Sequence, residues 1–99
     1  AYSSSKGAVV QLTKTLATAW AKDGITVNCV LPGWIDTALT RGARQDMPGL
    51  DQNVRTRAPA GRWGTREDFE GIAAFYASDS AAYITGTSIA VDGGYSIQG

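Results

Sequence analysis

From about Ser4 to Lys22 the apolar residues Val9, Leu12, Leu16, Ala19 and Trp20 recur at steps of three and four, which gathers them on one face of a helix. Asp23-Gly24 stops that helix, because glycine best tolerates the left-handed conformation that follows a helix end. The stretch Ile25–Leu31 is short, rich in β-branched residues and nearly continuously apolar, the pattern of a strand covered on both faces. Pro32-Gly33 ends it. Between Asp36 and Gly64 the periodicity fades while Arg41, Arg44, Arg55, Arg57, Pro48 and Pro59 accumulate with several glycines, which predicts a long excursion carrying short helices. Thr65, followed by Glu67 and a carboxylate three residues on at Asp68, announces another helix with the stripe Phe69, Ile72, Ala73 and Tyr76, running to about Ser78. A loop through Gly86 leads to a second apolar strand, Thr87–Val91, closed by Asp92-Gly93-Gly94.

The order helix, strand, helix, strand predicts an α/β fold. Two strands joined through a helix form a parallel pair, the unit of an open doubly wound sheet. Parallel strands need neighbours and cover on both faces, so further strands are expected upstream of Ala1, and the chain is expected to be the carboxyl-terminal portion of a longer protein. No internal repeat or linker divides residues 1–99, which read as part of a single domain.

Composition narrows the chemistry. The chain has 99 residues, 43% of them hydrophobic and 18% charged, which is globular usage. Nine basic residues balance nine acidic ones, so no positive field draws nucleic acid or an anionic membrane, and neither is an expected partner. With no histidine and one cysteine, the chain holds no Ser-His-Asp or Cys-His site and no zinc cluster, and no metal is expected. Cys29, in an apolar run, is expected to be small and buried in a reducing, cytoplasmic setting. No signal peptide is recognisable, and no apolar run is long enough to span a bilayer. Proton transfer falls to tyrosine, lysine or carboxylates.

Tyr2 and Lys6 stand four residues apart, a spacing that brings helical side chains onto one face. A free tyrosine has a pKa of about 10, and a neighbouring ammonium lowers it by favouring the phenolate; reaching about 7 takes roughly 4 kcal/mol of differential stabilisation. The same spacing also fits an exposed Tyr-Lys pair with no chemistry. The segment Pro32, Gly33, Trp34, Ile35, Asp36, Thr37 lies at the carboxyl end of the first strand, where open α/β sheets bind ligands, and Gly33 lets backbone approach a ligand closely. A simple strand-ending turn fits it as well.

Taken in order, Tyr2 with Lys6 on a helix, Ile25 through Pro32-Gly33 with Thr37, Gly61 through Gly64, Ala77 through Asp79, Ile84 through Gly86 and Val91 through Gly94 resemble the second half of a short-chain dehydrogenase/reductase. The resemblance covers nearly the whole chain. It implies the carboxyl-terminal part of a Rossmann-like domain and an NAD- or NADP-dependent oxidoreductase that interconverts an alcohol and a carbonyl. In that family the residue matching Tyr2 is the general acid/base. The match to Lys6 lowers the tyrosine pKa and holds the nicotinamide ribose. The backbone matching Ile35 holds the carboxamide, the hydroxyl matching Thr37 helps fix the cofactor, and Pro32 and Gly33 shape the loop.

Residues 38–62 correspond to the family's substrate lid, with Trp34, Arg41 and Met47 as candidate substrate contacts. Trp20 and Trp63 are expected to pack, Trp63 pinning the end of the lid, while Asp92 and Asn28 are taken as structural. The motifs are closest to members acting on sugar acids and on acyl-thioester ketones. The expected partners are a small-molecule alcohol or carbonyl and further copies of the chain, in a dimer or tetramer paired through the second helix and final strand. The family's glycine-rich phosphate loop, catalytic asparagine and carbonyl-polarising serine have no counterpart here, so the 99-residue chain alone is expected to be inactive. The alternative is a non-catalytic, self-associating piece or truncated gene product.

Overall fold

The computed structural model describes residues 2–97, the side chains of Tyr2 and Ser3 excepted. Its elements are α1 (Tyr2–Trp20), β1 (Cys29–Pro32), α2 (Ala38–Asp46), α3 (Leu50–Arg57), α4 (Glu67–Tyr76) and β2 (Ser88–Val91), with single 3-10 turns after α1, after α4 and after β2. β1 and β2 pair in a two-stranded sheet. Cys29 N–H donates to the Thr87 carbonyl and Gly33 N–H to that of Val91, so donor and acceptor advance together, as only parallel strands allow. Two compact units divide the chain, Ala1–Leu31 with Gly71–Ile89 and Pro32–Glu70 with Ala90–Gly99.

In the first unit, α1 ends two residues before the periodicity predicts, because its last turn tightens into a 3-10 turn over Ala21–Asp23. Gly24 then takes φ 74°, its N–H donating to the Ala21 carbonyl while Ile25 N–H donates to that of Trp20. This paired closure consumes carbonyls that a helix end leaves bare. Within this portion of the fold Thr13 and Ala17 are covered, whereas Val9, Leu12 and Trp20 are 46%, 57% and 42% exposed. Ala17 faces Gly86, where a Cβ would stand 3.5 Å from its methyl, an ordinary packing distance.

The predicted strand Ile25–Leu31 is a ladder only from Cys29 onward. Before it, side chains do most of the joining. Val27 N–H donates to Thr85 Oγ1, and Gly86 N–H to the Val27 carbonyl. Asn28 donates to the Ile84 carbonyl and accepts from both Thr87 N–H and Thr87 Oγ1, the latter also bonded to Tyr76 Oη. Gly86, at φ 78°, turns the opposing segment out of extended conformation, so the regular ladder begins only at Thr87. Asn28 is thereby committed on both sides of its amide, the structural role expected of it. Cys29 is half-buried, not fully buried, and its Sγ reaches Ser88 Oγ at 3.2 Å.

The second unit has its own core of Leu50, Val54 and Trp63, with Trp34 and Ala43 packed against it. The excursion after β1 does carry short helices, α2 and α3. Thr65 heads α4 as the spacing predicts: Asp68 Oδ2 accepts from Thr65 N–H at 2.8 Å, the return half of a capping box. Arg62 adds a two-pronged bond to the same carboxylate. Hydrogen bonds from Arg62 and from Thr65 N–H hold Asp68 well below the usual carboxylate range. Because its folded pKa is depressed, this link contributes fully above the ordinary value of 3.8 and fades only as pH falls below it.

Candidate functional site

Tyr2 and Lys6 lie on the first turns of α1, in the first unit. The Tyr2 side chain lies outside the described residues. Lys6 is half-buried and has a partner of its own. The other candidates, Pro32, Gly33, Trp34, Ile35, Thr37, Arg41 and Met47, belong to the second unit.

There the chain leaves β1 and meets residues from far along the sequence. A Cβ on Gly33 would stand 2.5 Å from Asp92 Cβ and 2.9 Å from Asp92 Cα, so the bare glycine makes room for the end of β2. Asp92 in turn closes the turn after β2, accepting from Gly94 N–H and Ser96 N–H. That is the structural role expected of it. Gly33→Ala is expected to push the two strand ends apart and destabilise the fold by roughly 1–3 kcal/mol, since the obstacle is backbone. Denaturant unfolding checks this, and an unchanged midpoint would refute the close approach.

Beyond Gly33, Ile35 forms an isolated parallel bridge with Gly64, made by Asp36 N–H to the Gly64 carbonyl at 2.8 Å and Gly64 N–H to the Trp34 carbonyl at 2.9 Å. In such a bridge the N–H and C=O of the bridged residue face the other way. The Ile35 carbonyl accepts from Thr40 Oγ1, and its N–H is left pointing outward. A cavity of about 150 Å³ opens beside this loop, lined by Trp34, Ile35, Arg62, Phe69 and Asp92 among others.

Thr37 is the N-cap of α2. Its hydroxyl accepts from Thr40 N–H while Thr40 Oγ1 accepts from Thr37 N–H at 2.8 Å, a capping box with threonine in the place usual for Glu or Gln. Thr37 is exposed, so one capping bond leaves its hydroxyl within reach of a ligand. An outward N–H and an exposed hydroxyl at the carboxyl end of a strand suit the carboxamide and polar edge of a nicotinamide, so these residues fit the cofactor that the resemblance implies.

The arginines of the excursion are engaged by neighbouring side chains. Arg41 pairs with Asp36 at 3.0 Å, Arg55 with Asp51 at 3.0 Å, and Arg57 lies over the Tyr95 ring. Arg44 stacks 3.7 Å from the Trp63 ring centroid and reaches Asp36 and Asp51, each at 3.8 Å. Trp63 donates its indole N–H to Asp51 and meets Trp34 edge-on, ring centroids 5.8 Å apart. For Asp51, burial raises the pKa, but hydrogen bonds from Arg55 and Trp63 and the charges of Arg55 and Arg44 outweigh it and hold the group low. Met47 caps the end of α2 and is 55% exposed, open to a ligand. Sequence reasoning missed Thr40, Asp36 and Asp51. Thr40 had a signal in the Thr37-x-x-Thr40 spacing, while the two carboxylates carry none that distinguishes them from surface charge.

A family model described as enoyl-(acyl carrier protein) reductase matches residues 1–96, and the short-chain dehydrogenase RED2 of Pyricularia oryzae is 43% identical over 94% of the chain. The chain belongs to the short-chain dehydrogenase/reductase family. Among other members, the 2-dehydro-3-deoxy-D-gluconate 5-dehydrogenase of Bacillus subtilis is 46% identical over 96% of this chain and 37% of its own length. The crystal structure of a gluconate 5-dehydrogenase from Burkholderia cenocepacia J2315, in complex with NADP and tartrate, superposes with a TM-score of 0.87 at 38% identity, over 97% of this chain and 37% of that one. A putative NAD(P)-dependent gluconate 5-dehydrogenase from Beutenbergia cavernae, with bound NADP, gives 0.86 at 47% identity, over 97% and 38%. The chain thus spans about 37% of the length of such members, and its α/β architecture is a portion of their Rossmann-like fold.

Proposed function

We propose that the protein is an NAD- or NADP-dependent oxidoreductase interconverting an alcohol and a carbonyl, with a sugar acid as the substrate class. The observation that carries this reading is the family match over residues 1–96, which includes Tyr2 and Lys6 on the first turns of α1. Similarity to gluconate dehydrogenases supports the substrate class. The dinucleotide, when bound, supplies or accepts the hydride. Tyr2 passes a proton to or from the substrate oxygen, and the Lys6 ammonium favours its phenolate and binds ribose hydroxyls. Ile35 N–H and the Thr37 hydroxyl hold the nicotinamide end on a loop shaped by Pro32 and Gly33. Trp34, Arg41 and Met47 border the substrate, and residues 38–62 act as its lid. The same proposal includes a single nucleotide-binding domain, a cytoplasmic setting and assembly into dimers or tetramers through α4 and β2.

The test is to supply the intact protein with NAD, NADP and a panel of sugar acids and their keto forms while following nicotinamide absorbance. Absence of turnover with every pair, together with absence of dinucleotide binding, overturns the reading. Lys6→Ala is expected to weaken dinucleotide binding and lower kcat together, and to move the alkaline limb of activity upward, because loss of the cation raises the tyrosine pKa. Lost activity with an unmoved pH profile would confine Lys6 to holding the cofactor.

A further inference from the structure

We infer that Thr40 is a positioning residue for the dinucleotide, acting through the Ile35 and Thr37 backbone; this rests on the reading of that loop as the nicotinamide-binding segment. Thr40 lies on the first turn of α2, half-buried, and its side chain meets the loop at several points. Thr40 Oγ1 donates to the Ile35 carbonyl, with the Thr37 carbonyl at 3.1 Å sharing that proton. It accepts from Thr37 N–H at 2.8 Å and stands 3.2 Å from Thr37 Oγ1. A hydroxyl has one proton and two lone pairs. With its proton on the Ile35 carbonyl, Thr40 has only acceptor capacity to offer Thr37, so in the 3.2 Å contact the Thr37 hydroxyl is the donor, and its proton passes to a ligand oxygen only by turning away from Thr40.

Two features of the loop depend on this single oxygen. The Ile35–Asp36 peptide is held from one side by the bridge to Gly64, through Asp36 N–H, and from the other by Thr40, through the Ile35 carbonyl. The carbonyl keeps a second lone pair, so a carboxamide can still pair with Ile35 N–H and C=O at once. Thr37 N–H is satisfied by Thr40, which fixes the extended backbone of Thr37, φ −129° and ψ 171°, and so the direction of its hydroxyl. Removing the Thr40 oxygen frees both groups to rotate toward water. The binding surface would then have to be ordered when the cofactor arrives, and affinity falls by that ordering cost.

The experiment compares Thr40→Val, which keeps shape and removes the oxygen, with Thr40→Ser, which keeps the oxygen, in the intact protein. Titration with NADP and NAD, KM values, and hydrogen exchange at the Thr37 amide without cofactor are measured in both. Thr40→Val is expected to weaken dinucleotide binding and raise its KM about tenfold, the factor one lost neutral hydrogen bond commands. The substrate KM at saturating cofactor is expected to stay within about twofold, and Thr37 amide protection to be lost. Thr40→Ser is expected to restore affinity and protection to within about twofold of the parent. Should Thr40→Val fold poorly, Thr40→Ala, which introduces no apolar group, takes its place in the comparison. Unchanged binding on loss of the oxygen, or equal loss in Thr40→Ser, overturns the inference. If the unaltered protein binds neither dinucleotide, it is the functional reading that fails.

Discussion

Tyr2→Phe in the intact protein is expected to lower kcat at least about a hundredfold while leaving dinucleotide affinity close to that of the parent. The substitution keeps the ring and deletes only the phenolic oxygen, so packing and cofactor contacts elsewhere are preserved. What it removes is the group proposed to exchange a proton with the substrate oxygen, and a positioned general acid or base contributes on the order of 10²–10⁴ in rate. An interaction made only in the transition state shows as an equal fall in kcat and kcat/KM, which steady-state kinetics with a parallel cofactor titration reads directly. Turnover near the parental rate in Tyr2→Phe would remove Tyr2 from the mechanism.

Trp63→Ala is expected to be the most destabilising single change in the second unit, costing about 3–5 kcal/mol, the range for deleting a buried large aromatic. Trp63 is only 4% exposed and closes the core formed with Leu50 and Val54. Its ring also carries Arg44 on one face and meets Trp34 edge-on, so the cavity would loosen the segment after β1 together with α3. Trp63→Phe separates packing from hydrogen bonding. It retains most of the ring but gives up the indole donor to Asp51, and is expected to cost about 1 kcal/mol beyond its smaller packing loss. Chemical denaturation of the intact protein measures both. A loss below about 1 kcal/mol in Trp63→Ala would mean that the site collapses around the deletion and that Trp63 does not hold this core open.

Sequence alone determined the features whose causes are local. The steps of three and four placed α1, Asp23-Gly24 marked its stop, Thr65 with Asp68 marked the start of α4, and the apolar run before Asp92 placed β2. The helices and their ends depend on hydrogen bonds or turns closed within a few residues, and β2 on a run of adjacent apolar residues, so the residue types involved stand side by side in the chain. The Tyr2–Lys6 spacing and the Pro32–Thr37 segment were legible for the same reason. Tertiary structure decided what depends on distant partners. The placing of Ala17 against Gly86, far along the chain, is one such feature. The first half of the expected strand lost its ladder because Gly86 bends the opposing segment. Gly33 looked free to meet a ligand, yet its missing side chain accommodates Asp92. The partners of the excursion arginines, Asp36, Asp51, Trp63 and Tyr95, were set only by the fold. Local bonding is written in neighbouring letters, whereas close packing between remote segments is settled only when the chain brings their backbones together.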